Sequence, residues 1–243
     1  MPQLITVDAV IDGVARITLN RPEKKNALSI QLRDEFSDAL DALGGDEAVK
    51  TIVVTGAGDV FSAGFDLREF EQHERADELW KSSDRWHATV LRFPLPLVAA
   101  VNGAALAGGF DLAVMCDLRV AADTARFAHL EITFGDVVFG PLHDLVGGAV
   151  ARDLCFTGRV VEAAEAKALG LVSSVVPVPE LGAEVRRFTD PSCGRPETSS
   201  CARRQRRSGG RRWRRDPRST SEHANPSAPA SVVFTRTRRR GLR

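Results

Sequence analysis

Only four cysteines occur in the 243 residues, Cys116, Cys155, Cys193 and Cys201, and no two are spaced as a CxxC pair. Cys116 and Cys155 fall in apolar helical patterns, so reduced buried thiols are expected rather than a disulfide framework or a zinc site. The start, Met1-Pro-Gln-Leu-Ile-Thr-Val7, has no basic segment before an apolar run and does not read as a secretory signal. No apolar stretch reaches the roughly 20 residues needed to cross a bilayer. A soluble cytoplasmic protein is the resulting expectation. Two nucleotide-binding signatures are also missing. Gly56-Ala-Gly-Asp-Val-Phe61 carries phenylalanine where a dinucleotide fingerprint needs its third glycine, and no Lys-Ser/Thr follows Gly103–Gly109 as a P-loop requires.

Net charge is nearly absent too, at +1, but this balance conceals two kinds of polypeptide. Residues 1–188 hold 18 Lys+Arg against 28 Asp+Glu, a charge of −10. Residues 189–243 hold 15 Arg, no Lys and 4 acids, a charge of +11. The first part has the apolar content and periodicity of a globular domain; the second has neither.

What is present centres on Asn102-Gly-Ala-Ala-Leu-Ala-Gly-Gly-Phe-Asp111. A wholly apolar strand, Leu97–Val101, runs into this turn and a helix over Phe110–Cys116 runs out. Gly108 and Gly109 would let the backbone lie directly against a ligand. A helix starting there presents unpaired N–H groups, which suit an oxygen carrying negative charge. Asp111 stands about one turn into that helix. It can be read as a reactive carboxylate or as an acid that merely complements the helix dipole.

Around this centre the patterning alternates strands and helices. Leu4–Val10 and Val14–Leu19 flank Asp12-Gly13 as a hairpin. Ser29 is placed to cap a helix through Leu43, with Gly44-Gly45 ending it. Thr51–Thr55 and Leu118–Ala122 read as strands; the first is of the type buried on both faces. Glu69–Arg92 is a charged helical region expected to present a solvated face. Helices are expected over Leu142–Phe156 and Glu162–Leu169, a strand over Ser174–Pro177, and a last helix from Glu180 that ends near Thr189. The strand–helix–strand order predicts an α/β fold with crossover connections.

Five stretches in register carry a family resemblance. They are Leu19-Asn-Arg-Pro-Glu-Lys-Lys-Asn-Ala-Leu28; Phe61-Ser-Ala-Gly-Phe-Asp-Leu67; Ala100–Ala113; Cys116-Asp-Leu-Arg-Val-Ala-Ala122; and Thr157-Gly-Arg with Ala163, Ala166 and Gly170-Leu-Val172. Over residues 4–188 the chain resembles the enoyl-CoA hydratase/isomerase (crotonase) superfamily. The resemblance implies a spiral of repeated ββα units followed by a helical region, and assembly as trimers or dimers of trimers. It implies a coenzyme A thioester as substrate, with no separate cofactor and no metal.

By the same resemblance, the backbone N–H groups of Phe65 and Gly108 hold the thioester oxygen. Ala63, Gly64, Asp66, Leu67 and Gly109 line the CoA and substrate path. Lys24 and Lys25 lie in the loop that passes the nucleotide end, where a phosphate contact and an ordinary surface position are both open. Fixed N–H donors suit the chemistry, because reaction at the α or β carbon builds charge on the carbonyl oxygen.

The two glutamates of family hydratases fall here on Asp111 and Glu131. Adding water to a 2-enoyl thioester needs a base and an acid, which two facing carboxyls supply. Asp111 departs from the pattern, its carboxylate stopping about 1.5 Å short of a glutamate's. A one-base reaction, the shift of a double bond from the 3 to the 2 position using Glu131 alone, is therefore the second expectation. A non-catalytic acyl-CoA-binding protein is the third. Asp136, His143 and Asp144 also differ from the hydratase pattern; His143 beside Asp144 could be an acid–base pair, but helix capping by Asp144 is the preferred reading.

The segment 189–243 contains Arg-Arg-Gln-Arg-Arg and Arg-Arg-Trp-Arg-Arg but no persistent period. Such a segment cannot offset its ordering entropy by apolar burial, and disorder is expected. Nothing in it matches the helices with which the family normally ends. Nucleic-acid or anionic-membrane binding, an inert extension, and an out-of-frame translation of a GC-rich gene are the three readings, the last preferred; neither nucleic acid nor membrane is the expected partner.

Overall fold

The computed structural model describes residues 3–133 and 138–190. Asp136, Cys193, Cys201 and the arginine-rich segment from residue 191 onward lie outside the described residues.

Asp12 and Gly13 both take positive φ, 52° and 79°, as a two-residue type I′ hairpin turn demands. They join β1 (Ile5–Val7) to β2 (Val14–Leu19), paired antiparallel with Ile5 opposite Leu19. The chain then makes α1 (Ile30–Gly44). Its first turn is closed by Ser29, whose Oγ accepts the Leu32 N–H at 3.2 Å, and by Glu69, which accepts the Ile30 N–H at 2.9 Å. Both the cap and the stop of this helix agree with the sequence pattern.

From there the course repeats. A strand enters one sheet, a short strand enters a second, and a helix returns. The first pass is β3 (Thr51–Gly56), β4 (Val60–Ser62), then the short α2 (Leu67–Phe70) and α3 (Ala76–Arg92). The second is β5 (Leu97–Val101), β6 (Ala104–Leu106) and α4 (Gly108–Met115). The third is β7 (Leu118–Ala122), β8 (Arg126–Ala128) and α5 (Phe139–Thr157). β9 (Val161–Glu162), α6 (Ala163–Ala168), β10 (Ser174–Val176) and α7 (Leu181–Thr189) finish the described chain. One sheet has the order β1-β2-β3-β5-β7-β10, parallel beyond β2. The other has the order β4-β6-β8-β9, parallel except at β9. This is the ββα spiral that the resemblance implied.

The inner strands carry no polar alternation because helices or the second sheet cover them. All five residues of β5 are buried. Helix α3 is less solvated than its charge suggests. Leu79, Ser82, Ser83, Trp86 and Val90 form one buried stripe, while Trp80 on another face is exposed. Helix α5 starts at Phe139, three residues before the expected Leu142, and breaks at Gly147 (φ 78°). Asp144 therefore lies inside the helix and does not cap it. His143 Nδ1 stands 3.4 Å from Asp144 Oδ1, with both side chains largely exposed, so this is a surface contact and not an acid–base pair of the site. No helix among the described residues is long and apolar enough to cross a membrane.

Candidate active site

Two glycine turns meet edge to edge, one after β4 and one between β6 and α4. Gly64 has φ 93°, and a Cβ added to it would stand 2.6 Å from Ala107 Cβ and 3.0 Å from Gly108 N. A Cβ on Gly108 would stand 2.9 Å from the Phe65 ring, and one on Gly109 2.4 Å from Ser62 O. Only glycine permits this approach of backbone to backbone. Ala107 takes φ 51° and ψ −130°, a conformation that costs a non-glycine residue on the order of 1–3 kcal/mol, and it aims the peptide of Gly108. Among the described residues, neither the Phe65 N–H nor the Gly108 N–H donates a hydrogen bond.

The Gly64–Phe65 turn is braced from below. Leu28 N–H donates to Gly64 O at 2.8 Å, and Asp66 N–H reaches Leu28 O at 3.4 Å. Asn26 is fully buried at φ 54°. Its Nδ2 donates to Ala57 O and Val60 O, its Oδ1 accepts from Arg21 N–H, and its carbonyl accepts from Ser62 Oγ. Asn102 ties the next loop in the same way, donating from Nδ2 to Gly56 O and Gly58 O. Both asparagines stand inside motifs that carry the family resemblance, and nothing in the sequence pattern assigns either a role. For Asn102 the available signal was a polar residue next to Gly103 at the end of an apolar strand; Asn26, between Lys25 and Ala27, carried no such mark.

Asp66 caps α2 through Arg68 N–H and accepts from Arg21 Nη1 at 2.7 Å. Ala63 N–H donates to Lys25 O at 3.0 Å. Leu67 is 57% exposed, an apolar side chain left open beside the turn. Lys24 is exposed on the short 3₁₀ turn Pro22–Lys24, and its ammonium makes no bond to any described residue.

Asp111 on α4 and Glu131, just after β8, are both buried and come together across His129. His129 Nδ1 is 3.1 Å from Glu131 Oε1 and 3.6 Å from Asp111 Oδ1. The Val138 N–H donates to Asp111 Oδ1 at 3.2 Å. Glu131 Oε2 is buried and accepts no hydrogen bond from any described residue. Burial first, and the Glu131 charge second, push the Asp111 carboxyl up to about 7, although His129 and the Val138 N–H hold it down. Burial opposes a charge on His129, but Cys155, Glu131 and Asp111 override it and push the imidazole up to about 10. A histidine whose neighbours favour its protonated form thus stands between two carboxyls. The donor atoms of the three groups lie within 4.8 Å of one another. His129 was passed over in the sequence, where it stood as one polar letter in an apolar segment.

Residues 10–197 match the family model described as Enoyl-CoA hydratase/isomerase. The chain is 41% identical over 178 residues to the "Probable enoyl-CoA hydratase echA8" of Mycobacterium tuberculosis, covering 71% of this chain and 69% of that protein. Its fold is similar to the crystal structure of an enoyl-CoA hydratase/isomerase from Xanthobacter autotrophicus Py2. That match has a TM-score of 0.77 at 35% identity, over 86% of this chain and 80% of the other. A Thermobifida fusca YX protein crystallised with acetoacetyl-CoA is similar at a TM-score of 0.74 and 31% identity, over 86% and 88% of the two chains.

Proposed function

The chain belongs to the enoyl-CoA hydratase/isomerase family, and on that premise we propose that it adds water across the 2,3 double bond of a 2-enoyl-CoA thioester. The observation that carries this reading is the buried meeting of Asp111 and Glu131, with one oxygen of Glu131 accepting no hydrogen bond from any described residue. The thioester carbonyl sits against the Phe65 and Gly108 N–H groups. Water oxygen bonds to C3 as one carboxylate takes its proton, the C2=C3 π pair becomes the C1=C2 bond while the carbonyl π pair moves onto oxygen as the enolate, and the carbonyl re-forms as a carboxyl proton is delivered to C2. Two N–H donors on the enolate oxygen each contribute roughly 10²–10³-fold in rate. Gly64 and Gly109 keep the path clear, and Ala63, Asp66 and Leu67 line the way out for the CoA arm. Lys24 lies on the neighbouring loop as a phosphate contact. The T. fusca relative crystallised with acetoacetyl-CoA supports a CoA thioester as ligand.

The isomerase reading also has a specific observation behind it. Asp111 is held by the Val138 N–H, whereas Glu131 has a buried oxygen with no partner among the described residues. A single base moving a proton from C2 to C4 of a 3-enoyl thioester needs no more. Loss of the conjugated enoyl absorbance with a short 2-enoyl-CoA supports hydration. Its appearance with a 3-enoyl-CoA, and no loss with the 2-enoyl-CoA, supports isomerisation instead.

A further inference from the structure

The two carboxyls above are what the family chemistry requires; the histidine between them is not. We propose that His129 is a positioning residue for proton transfer: its Nδ1–H holds Glu131 by Oε1, so that Oε2 is the oxygen that exchanges the proton with water or substrate carbon. This rests on the reading of Glu131 as the acid–base group given above.

Four observations converge on His129. Its side chain is wholly buried between the two carboxyls. The ring is fixed against Phe110 at a centroid distance of 4.5 Å, and Phe110 precedes Asp111 on α4. Nδ1 is the nitrogen that faces both carboxyls, at 3.1 Å and 3.6 Å. Nε2, by contrast, makes no hydrogen bond of good geometry with any described residue.

A histidine kept only for packing would leave no reason for this asymmetry. The Cys155 thiol is a weak partner for the ring, and a phenylalanine in the same slot would avoid the cost of burying the imidazole's polar nitrogens. That cost is offset on the Nδ1 side, where a charge-assisted hydrogen bond forms to a buried carboxylate whose Oε2 accepts no hydrogen bond from any described residue. A carboxylate tied by one oxygen loses rotation about its last bond, and its second oxygen acquires a fixed direction. The hold also matters because Asp111 is one methylene shorter than the glutamate of family hydratases. Bringing both acids to one ring edge draws the shorter side chain into the same cluster.

Two substitutions separate positioning from packing. His129→Asn puts an amide N–H near the place of Nδ1–H, whereas His129→Phe keeps the ring against Phe110 and removes the donor. Hydration of a short 2-enoyl-CoA is measured with each, together with the thermal midpoint. The expected result for His129→Phe is a kcat lower by about 10²-fold, the scale of a misplaced reacting group, with KM within about twofold. His129→Asn keeps kcat within about tenfold, since the donor is restored. Equal losses in both variants, or a His129→Phe as active as wild type, overturn the proposal. If His129→Phe does not fold, His129→Gln, whose amide reaches past Nδ1 toward the Nε2 side, takes its place with the same loss expected. A wild type inactive on both 2-enoyl- and 3-enoyl-CoA overturns the enzymatic reading and this role together. A wild type that is active, with a silent His129→Phe, overturns this role alone.

Discussion

The guanidinium carbon of Arg33 lies 4.6 Å from the centroid of the Phe65 ring, inside a fully buried side chain. Arg33 also donates to Leu28 O at 2.6 Å and to Ser82 Oγ and Leu79 O at 3.3 Å, with Glu69 at 3.9 Å. It thereby joins α1 and α3 to the residue whose N–H faces the proposed thioester oxygen. Arg33→Met would remove the charged donor that Leu28 O, Leu79 O and Ser82 Oγ share and leave Glu69 without this cation. The expected cost is about 3–5 kcal/mol, read as a fall in the denaturant midpoint. Arg33→Lys should also destabilise, because one ammonium cannot reach Leu28 O, ahead of α1, together with the two acceptors on α3.

Gly64 answers to a different constraint. With φ 93° and Ala107 Cβ 2.6 Å from any added methyl, Gly64→Ala must push the two turns apart. A separation of about an ångström between the Phe65 and Gly108 N–H groups should lower kcat on the order of 10²-fold. The same steady-state assay on Gly170→Ala is the control. That glycine also has positive φ, 75°, but no atom within 4 Å of the added methyl, so turnover should stay near wild type.

Ala107 makes the opposite prediction. Its φ of 51° and ψ of −130° suit glycine. Ala107→Gly should gain about 1 kcal/mol, since relief of roughly 1–3 kcal/mol of strain outweighs the added unfolded-state entropy. An unchanged or lower thermal midpoint would contradict the assigned strain.

Stability should fall as pH rises above neutral. His129 is raised from 6.5 to about 10, so its contribution is fully present below pH 6.5 and is lost as pH rises through 10. Asp111 is raised from 3.8 to about 7, so its contribution is present below pH 3.8 and is lost as pH rises through 7. The signs agree, and a lower thermal midpoint at pH 9 than at pH 6 is expected from calorimetry. In His129→Asn the difference between these two pH values should shrink.

Much of the scaffold could be read from the chain. Asp12-Gly13, the Ser29 cap and the apolar runs of β3 and β5 each express one local rule, and the structure obeys each. The glycines of the two turns were legible because only a close approach explains Gly64, Gly108 and Gly109 together. Asp111 stood out by its place one turn after Gly108, and Glu131, twenty residues later, entered as a candidate through the resemblance; the structure places the two side by side. His129, Asn26 and Arg33 were missed for a common physical reason. Each is a polar side chain whose partners lie on other strands and helices, so no local period marks it. Asp144 was misjudged because the helix start depends on how α5 packs beneath α4, which spacing does not encode.

The most direct test of the whole account is the hydration of a short 2-enoyl-CoA by wild type and by Glu131→Gln, followed as loss of the conjugated thioester absorbance. The account predicts turnover by the wild type, and a loss of about 10²–10⁴-fold in kcat for Glu131→Gln, the range of acid–base catalysis, with thioester binding retained. A Glu131→Gln variant that hydrates as fast as wild type would contradict it.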